Sequence, residues 1–352
     1  MTGPAGVGLV GVGPVGVGLV GYGMAAISLH APLIAAEPRL ALRAVVSRDP
    51  AKVHRDLPAV PVVPTLDDLL ADGTVELVVV AAPTAVHFEL AAAALRAGRH
   101  VVVDKPLTVT VAEADELVAL AAAAGRQLAA FHQRRWDSDF RSLTRCVHSG
   151  QLGRVSTYLA RFDRFRPERQ DRWRERPGPG AGVLYDLGSH LVDQALVLLG
   201  RPETVWADVG TQRSGAVVDD YFHVVLGYGS LRAILHAGSL VLAPGPRLEA
   251  HGDAGSFVSH GIDGQIPALL AGERPGDPGW GRSGGAATLT TVDGARPAER
   301  VPGAYETFYR QMAAAVRGEG PVPVPATEAR DVLRVIECAL RSSAEARTLR
   351  LD

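Results

Sequence analysis

Short continuous apolar runs, rather than alternating ones, mark the first 130 positions. Residues 40–46, 75–81, 100–103 and 127–131 read as strands with little inside/outside alternation. Residues 24–36, 85–97 and 111–124 between them are compatible with helices. Strands of this kind separated by helices predict a parallel sheet covered on both faces. Beyond about residue 150 the pattern changes. Residues 155–165, 204–211, 221–227, 231–237 and 247–251 read as strands, several joined by short loops, with Tyr228-Gly229-Ser230 as a hairpin turn. One helix, 182–199, precedes most of this run and another, 329–344, lies near the end, while the Gly- and Pro-rich stretch 272–302 reads as a long loop or a loosely ordered hairpin. The fold class is α/β: a doubly wound Rossmann domain, then an α+β domain with an open, mostly antiparallel sheet.

The start of the chain contains a tandem repeat, Gly6-Val-Gly-Leu-Val-Gly-Val-Gly13 followed by Gly16-Val-Gly-Leu-Val-Gly-Tyr-Gly23. Only the second copy is followed by a helix-compatible run and then a strand, so Gly21-x-Gly23-x-x-Ala26 is the working motif. Gly21 makes the tight turn, Gly23 lets a pyrophosphate approach the backbone, and Ala26 permits close helix–strand packing. The predicted organisation is an extension over 1–14 of poor order, a dinucleotide-binding domain over 15–133, and a substrate-binding and oligomerisation domain over 134–352.

Composition narrows the function. Hydrophobic residues make up 47% of the 352 positions and charged ones 21%, which supports a large packed interior. With 36 Lys+Arg against 38 Asp+Glu there is no basic excess for a nucleic-acid backbone. The uncharged first 36 residues raise the membrane question, but the recurring glycines and Pro14 argue against a spanning helix, and no Lys or Arg precedes Arg39 to mark a secretory signal. The two cysteines, Cys146 and Cys338, form neither a disulfide framework nor a zinc motif and fit a reducing cytoplasm.

Ligands of doubly wound sheets bind at the carboxyl ends of the strands. Ala81-Ala82-Pro83-Thr84 and Asp104-Lys105-Pro106 stand at two such ends. A lysine there is commonly a solvated charge. In a nicotinamide crevice the Lys105 ammonium would instead stabilise a developing alkoxide and lower the pKa of a substrate hydroxyl. Asp186 and His190, four residues apart at the head of the 182–199 helix, share a face and suit a substrate anchor and a general base. Two other readings of that pair stand beside it: a dipole-stabilising carboxylate with an incidental histidine, and metal ligation. The preceding Gly178-Pro-Gly-Ala-Gly182 favours the first reading, because it lets backbone and ligand come close. No metal is expected, since Lys105 supplies the electrostatics.

Together, Gly21-x-Gly23-x-x-Ala26, Asp104-Lys105-Pro106 and Asp186-x-x-x-His190 resemble the Gfo/Idh/MocA family of NAD(P)-dependent oxidoreductases, in order from about residue 16 to the C-terminus. The segments 131–140, 162–167, 171–175 and 220–223 look most like the branch containing NADP-dependent scyllo-inositol dehydrogenases. The resemblance implies that Lys105, Asp186 and His190 are the catalytic set, and that homodimers or homotetramers assemble through the C-terminal sheet. Asp104 stands where the family more often has glutamate. It also implies a reversible hydride transfer between nicotinamide and a cyclitol or sugar, with Arg134 and Arg164 joining Lys105, Asp186 and His190 around the substrate. Expected cofactor contacts are Gly21, Tyr22, Gly23, Met24 and Ala25; Ser47 and Arg48; Ala82, Pro83, Thr84 and His87; Asp104, Lys105 and Pro106; and Trp173 with Arg174. Arg164, Arg166, Trp173 and Arg174 lie in a polar, aromatic loop that would cover cofactor and substrate; a solvated loop is the alternative. Rival functions are a non-catalytic NADP-binding regulator, and imine reduction or redox-assisted sugar elimination on the same cofactor.

Cofactor choice is read from the end of the second strand. Asp49 is the only acid in reach, and Pro50 after it marks it as a helix N-cap. That leaves Ser47 where a ribose-binding carboxylate would stand, with Arg48 beside it to pair with a 2′-phosphate, so NADP is expected over NAD.

Overall fold

The computed structural model describes residues 13–282 and 285–351. The predicted extension falls almost wholly outside the described residues. The first sheet has six parallel strands: β1 (Val15–Val20), β2 (Leu40–Val46), β3 (Val62–Val63), β4 (Leu77–Val80), β5 (His100–Asp104) and β6 (Leu128–Phe131), in spatial order 3-2-1-4-5-6. This is the doubly wound arrangement, with its topological switch point between β1 and β4. The connecting helices are α1 (Ala31–Ala35), α2 (Pro50–Asp56), α3 (Leu66–Ala71), α4 (His87–Arg96) and α5 (Val111–Ala124).

Local chemistry sets these boundaries. Asp49 accepts from Lys52 N at 3.0 Å and Pro50 opens α2, as the Asp-Pro signal requires. Thr110 and Glu113 form a capping box at the start of α5, which Gly125 ends at φ +61°. The helix after the glycine turn is widened into a π-helical turn over Ala26–His30. There Pro32 has no N–H to offer Ser28 O, and Ser28 Oγ donates to Met24 O at 2.7 Å.

The second sheet has nine strands: β7 (Val155–Arg161), β8 (Thr204–Gly210), β9 (Tyr221–Tyr228), β10 (Leu231–Gly238), β11 (Leu248–Gly252), β12 (Gly255–Ser259), β13 (Ala287–Thr291), β14 (Gly294–Pro297) and β15 (Leu349–Arg350). Their order is 14-13-12-11-7-10-9-8-15, antiparallel throughout except where β10 runs parallel to β7. Alternating burial along β8 and β9 leaves one face of this sheet open, with Trp206 exposed on it. The other face packs α6 (Ser138–His148), α7 (Ser189–Leu199) and α10 (Ala326–Glu345) into a second core. Two short helices complete the fold, α8 (Gln265–Leu270) and α9 (Glu306–Val316).

Within 272–302 the hairpin alternative holds, β13–β14 extending the sheet edge. Elsewhere the structure corrects the elements. The helix expected over 182–199 is a π-helical turn, Leu184–Gly188, running into α7. Segments taken as connections hold helices, α6 and α9 among them. Helix α9 and the start of α10 return to the first core, where Tyr305, Phe308 and Tyr309 are fully buried, the last two against the Phe131 ring. No helix among the described residues is long and apolar enough to cross a membrane.

Candidate active site

The glycine turn has the shape the motif implies. Gly21 adopts φ +91°, and a Cβ there would lie 2.6 Å from Ala81 O on the neighbouring strand end. Gly23 has nothing within 4 Å of its missing Cβ, so open space lies above the first turn of the helix. That cradle fits a pyrophosphate. Gly21→Ala is therefore expected to combine backbone strain with a clash at the cradle, raising the NADPH dissociation constant at least about tenfold, or roughly 1.4 kcal/mol, as read by fluorescence titration.

The remaining residues expected around a dinucleotide line the same strand ends. Ser47 Oγ accepts from Asp49 N at 3.1 Å, and Arg48 is exposed, its side chain making no ion pair or hydrogen bond among the described residues. Asp49 is occupied as the α2 cap. Thr84 is buried against Gly180, following Ala82 and Pro83. His87 reaches Pro106 O at 2.9 Å and Ala82 O at 2.8 Å, tying the loops after β4 and β5 together. Burial keeps its imidazole below the usual histidine range. The Met24 side chain is exposed, next to Ala25, whereas the Tyr22 hydroxyl donates to Asp56 at the exposed end of α2 at 3.3 Å and is pushed up to about 12, by burial first and Asp56 second. Asp104 is buried and accepts from Lys105 N at 3.0 Å.

Lys105, at the end of β5, is 7% exposed. Its Nζ donates to Asp186 Oδ1 at 2.9 Å and to the Asp186 carbonyl. Arg174 Nε lies 3.1 Å from the same carboxylate oxygen. Burial alone would raise the Asp186 carboxyl, but Lys105 and Arg174 hold it well below the carboxylate range. Burial lowers Lys105 below an ordinary lysine despite that partner. Among the described contacts the Asp186 carboxylate binds Lys105 and Arg174.

His190 sits in the first turn of α7, 5% exposed, with the Phe162 ring edge-on at 6.3 Å. Its Nδ1 is buried without a hydrogen-bond partner among the described residues. Burial, then the charges of Lys105, Arg134, His132 and Arg247, push its pKa well below the usual range, so the ring is neutral at pH 7. Arg134 binds Asp137 at 3.0 Å and lies over the Phe162 ring. Arg164 and Arg166 line a pocket with Arg174, Asp186, Asp219 and Ser239. Burial brings Arg164 down to about 10, with Asp186 opposing.

The arginine-rich loop, exposed over 167–171, is anchored at Glu175. Glu175, 5% exposed, accepts from Gln170 N at 3.0 Å and Arg172 Nε at 2.9 Å. Arg213 ties Glu175 to Asp220. Trp173 packs under the Arg174 guanidinium at 4.4 Å.

Two residues of this neighbourhood carry no role in the sequence reading. Arg247 is 4% exposed, 3.9 Å from the Phe162 ring centroid, with Nε and Nη1 unpartnered. It precedes β11, far along the chain from every motif, and no local pattern marks it. His132 directly follows β6, and the rule that singled out Lys105 at a strand end applies to it equally.

Comparisons with known proteins point to one family. Residues 15–132 match the model described as oxidoreductase family, NAD-binding Rossmann fold, GFO_IDH_MocA, and residues 144–351 match its C-terminal alpha/beta domain. The chain is 45% identical to an uncharacterised oxidoreductase of Escherichia coli, YdgJ, over 92% of this chain and 94% of that one. It is 42% identical to the scyllo-inositol 2-dehydrogenase (NADP(+)) IolW of Bacillus subtilis, over 92% of each. A solved structure from Yersinia pestis superposes with a TM-score of 0.91 at 43% identity, covering 97% of this chain and 98% of the other.

Proposed function

Because this chain belongs to the Gfo/Idh/MocA oxidoreductase family, we propose that it is an NADP-dependent dehydrogenase acting on a secondary alcohol or ketone of a cyclitol or sugar, scyllo-inositol-like in character. The observation that carries the reading is the convergence of Lys105, Asp186 and His190 from two domains at the carboxyl end of β5. The bound nicotinamide would supply the hydride acceptor in oxidation and the donor in reduction. The residues that would hold it are Gly21 to Ala25, Ser47 and Arg48, Ala82 to Thr84, and Lys105 with Pro106.

In oxidation Lys105 Nζ holds the hydroxyl oxygen and favours its alkoxide form. Neutral His190 accepts the hydroxyl proton, and burial among cations makes it ready to release that proton. Asp186 keeps Lys105 protonated and aimed, and offers its carboxylate to a neighbouring substrate hydroxyl. Arg164 and Arg174 stand where further hydroxyls would bind, and the Trp173–Arg174 segment closes the crevice to water. The similarity to a dehydrogenase named for scyllo-inositol favours a ring polyol as substrate. A purely regulatory NADP-binding protein would have no use for this buried lysine–carboxylate–histidine set.

NADP is favoured over NAD by the free Arg48 guanidinium and by Ser47, whose hydroxyl does not repel a 2′-phosphate. Assays at 340 nm with cyclitols, aldoses and each cofactor test the reading. The expected order is NADP well above NAD in kcat/KM, with Ser47→Asp combined with Arg48→Ala eroding or reversing it. A native preference for NAD would overturn the cofactor assignment, and a panel without a cyclitol or sugar substrate would overturn the substrate class.

A further inference from the structure

The pocket beside Asp186 carries more positive charge than its own acids answer. Five guanidiniums line it, those of Arg164, Arg166, Arg172, Arg174 and Arg213. Three of them are paired. Arg172 and Arg213 bind Glu175 at 2.7 and 3.1 Å, Arg213 also binds Asp220 at 2.8 Å, and Arg174 shares Asp186 with Lys105. Among the described residues the Arg164 and Arg166 side chains make no ion pair or hydrogen bond. Asp219, the remaining acid of the lining, accepts from Leu184 N at 2.7 Å and pairs with neither.

The backbone aims both arginines at the same place. Beyond β7 the chain runs on beside the end of β10. Arg164 N donates to Gly238 O at 2.9 Å, Arg166 N to Ser239 O at 2.8 Å, and Val241 N to Arg164 O at 3.0 Å. Alternate side chains of extended backbone share a side. Phe162, Arg164 and Arg166 accordingly line the pocket, while Phe165 between them is 50% exposed. Phe162 stands edge-on to His190, so the two arginines follow one another outward from the chemistry.

Neighbouring guanidiniums repel, and a guanidinium does not escape by losing its proton. Burial first, then Arg166 against the opposing Asp186, brings Arg164 down to about 10, which leaves it charged at neutral pH. Partly buried cations without counter-charge are costly, so the pair points to a ligand that brings the missing charge. The cofactor's anions lie elsewhere in the proposed reading, the pyrophosphate at the Gly21–Gly23 turn and the 2′-phosphate at Arg48, both on the first domain.

We infer that Arg164 and Arg166 bind an anionic substituent of the substrate, a carboxylate or a phosphate, so that the preferred polyol is an acidic or phosphorylated sugar or cyclitol. This rests on the reading of the Asp186 pocket as the substrate site. Planar guanidiniums present paired N–H groups that match either anion. Lys105 and Arg174 stay with Asp186, so binding the anion and stabilising the alkoxide use separate cations. Asp219 and Ser239, in the same lining, remain for hydroxyls.

Matched pairs assayed with NADP test this: glucose against glucuronate, and scyllo-inositol against its monophosphate. The anionic member of at least one pair is expected to exceed its neutral parent about 10- to 100-fold in kcat/KM, and the pair that shows the gain tells carboxylate from phosphate. Arg164→Gln combined with Arg166→Gln should bring that ratio to within about threefold of one. Neutral parents preferred in both pairs, or a ratio that the double variant leaves intact, would overturn the inference. Should the double variant not fold, the native enzyme decides. Inorganic phosphate or acetate, at constant ionic strength, is expected to compete with the neutral polyol at saturating NADP. Inhibition by neither, or competition with NADP alone, contradicts it. Turnover of the neutral parents with no gain from the anionic ones sinks the inference and leaves the dehydrogenase reading standing. Turnover of no member of either pair sinks both.

Discussion

Replacing Lys105 with methionine is expected to lower kcat about 10³-fold, roughly 4 kcal/mol of transition-state stabilisation. NADPH affinity should stay within about tenfold, because the glycine cradle and the Ser47–Arg48 edge are untouched. The ammonium is buried and held at 2.9 Å by Asp186, so it meets the substrate oxygen with little solvent to screen it. Methionine fills the volume without the charge. The variant also relieves Asp186 of its main counter-charge, so the carboxyl rises toward its ordinary range. Steady-state kinetics beside a fluorescence titration of NADPH check both parts. Near-native kcat would remove Lys105 from the chemistry.

His190→Ala is expected to cost a similar factor, about 10²- to 10⁴-fold in kcat, and to change the pH profile as well. The sign follows from the environment. Burial and four neighbouring cationic or imidazole groups depress the ring, so the base form persists below the pH at which an ordinary histidine is protonated. Oxidation by the native enzyme should lose kcat/KM only on the acid side of that ordinary range. It should fall again at high pH as Lys105, itself lowered by burial, gives up its proton. Lys105 is the largest of the charges acting on His190, so the residual activity of Lys105→Met should show its acid limb moved upward. In His190→Ala the acid limb should vanish, and its persistence would assign it to another group.

How much of this was legible in the sequence depended on whether the deciding signal was local. The parallel sheet was, apart from the two-residue β3, because β4, β5 and β6 are continuous apolar runs separated by helix-compatible ones and Asp49-Pro50 marks a helix start. The working glycine motif was also legible, since only Gly21 is followed by a helix and a strand. Lys105, Asp186 and His190 came from their places at a strand end and a helix head. Other features were set by distant partners. Asp186 faces Lys105 rather than His190 because the lysine, 81 positions away, reaches across to it. Glu175 pins the arginine-rich loop through Arg213, and Arg247 joins the site through Phe162. The π-helical turns arise from Pro32 and from Ser28 and Ser189 bonding back to carbonyls, which periodicity does not register. Helix α9 was missed because its apolar face is spent on the first core, far from its place in the chain.

The central claim is a hydride passing between a substrate carbinol carbon and the nicotinamide. It is tested most directly with scyllo-inositol carrying deuterium at its carbinol carbons, incubated with NADP in ordinary water. The reading predicts reduced cofactor with one deuterium at the nicotinamide C4, seen by mass spectrometry and proton NMR, and no label gained there from D₂O when the substrate is unlabelled. Reduced cofactor without the label, or none formed with any cyclitol or sugar, would contradict it.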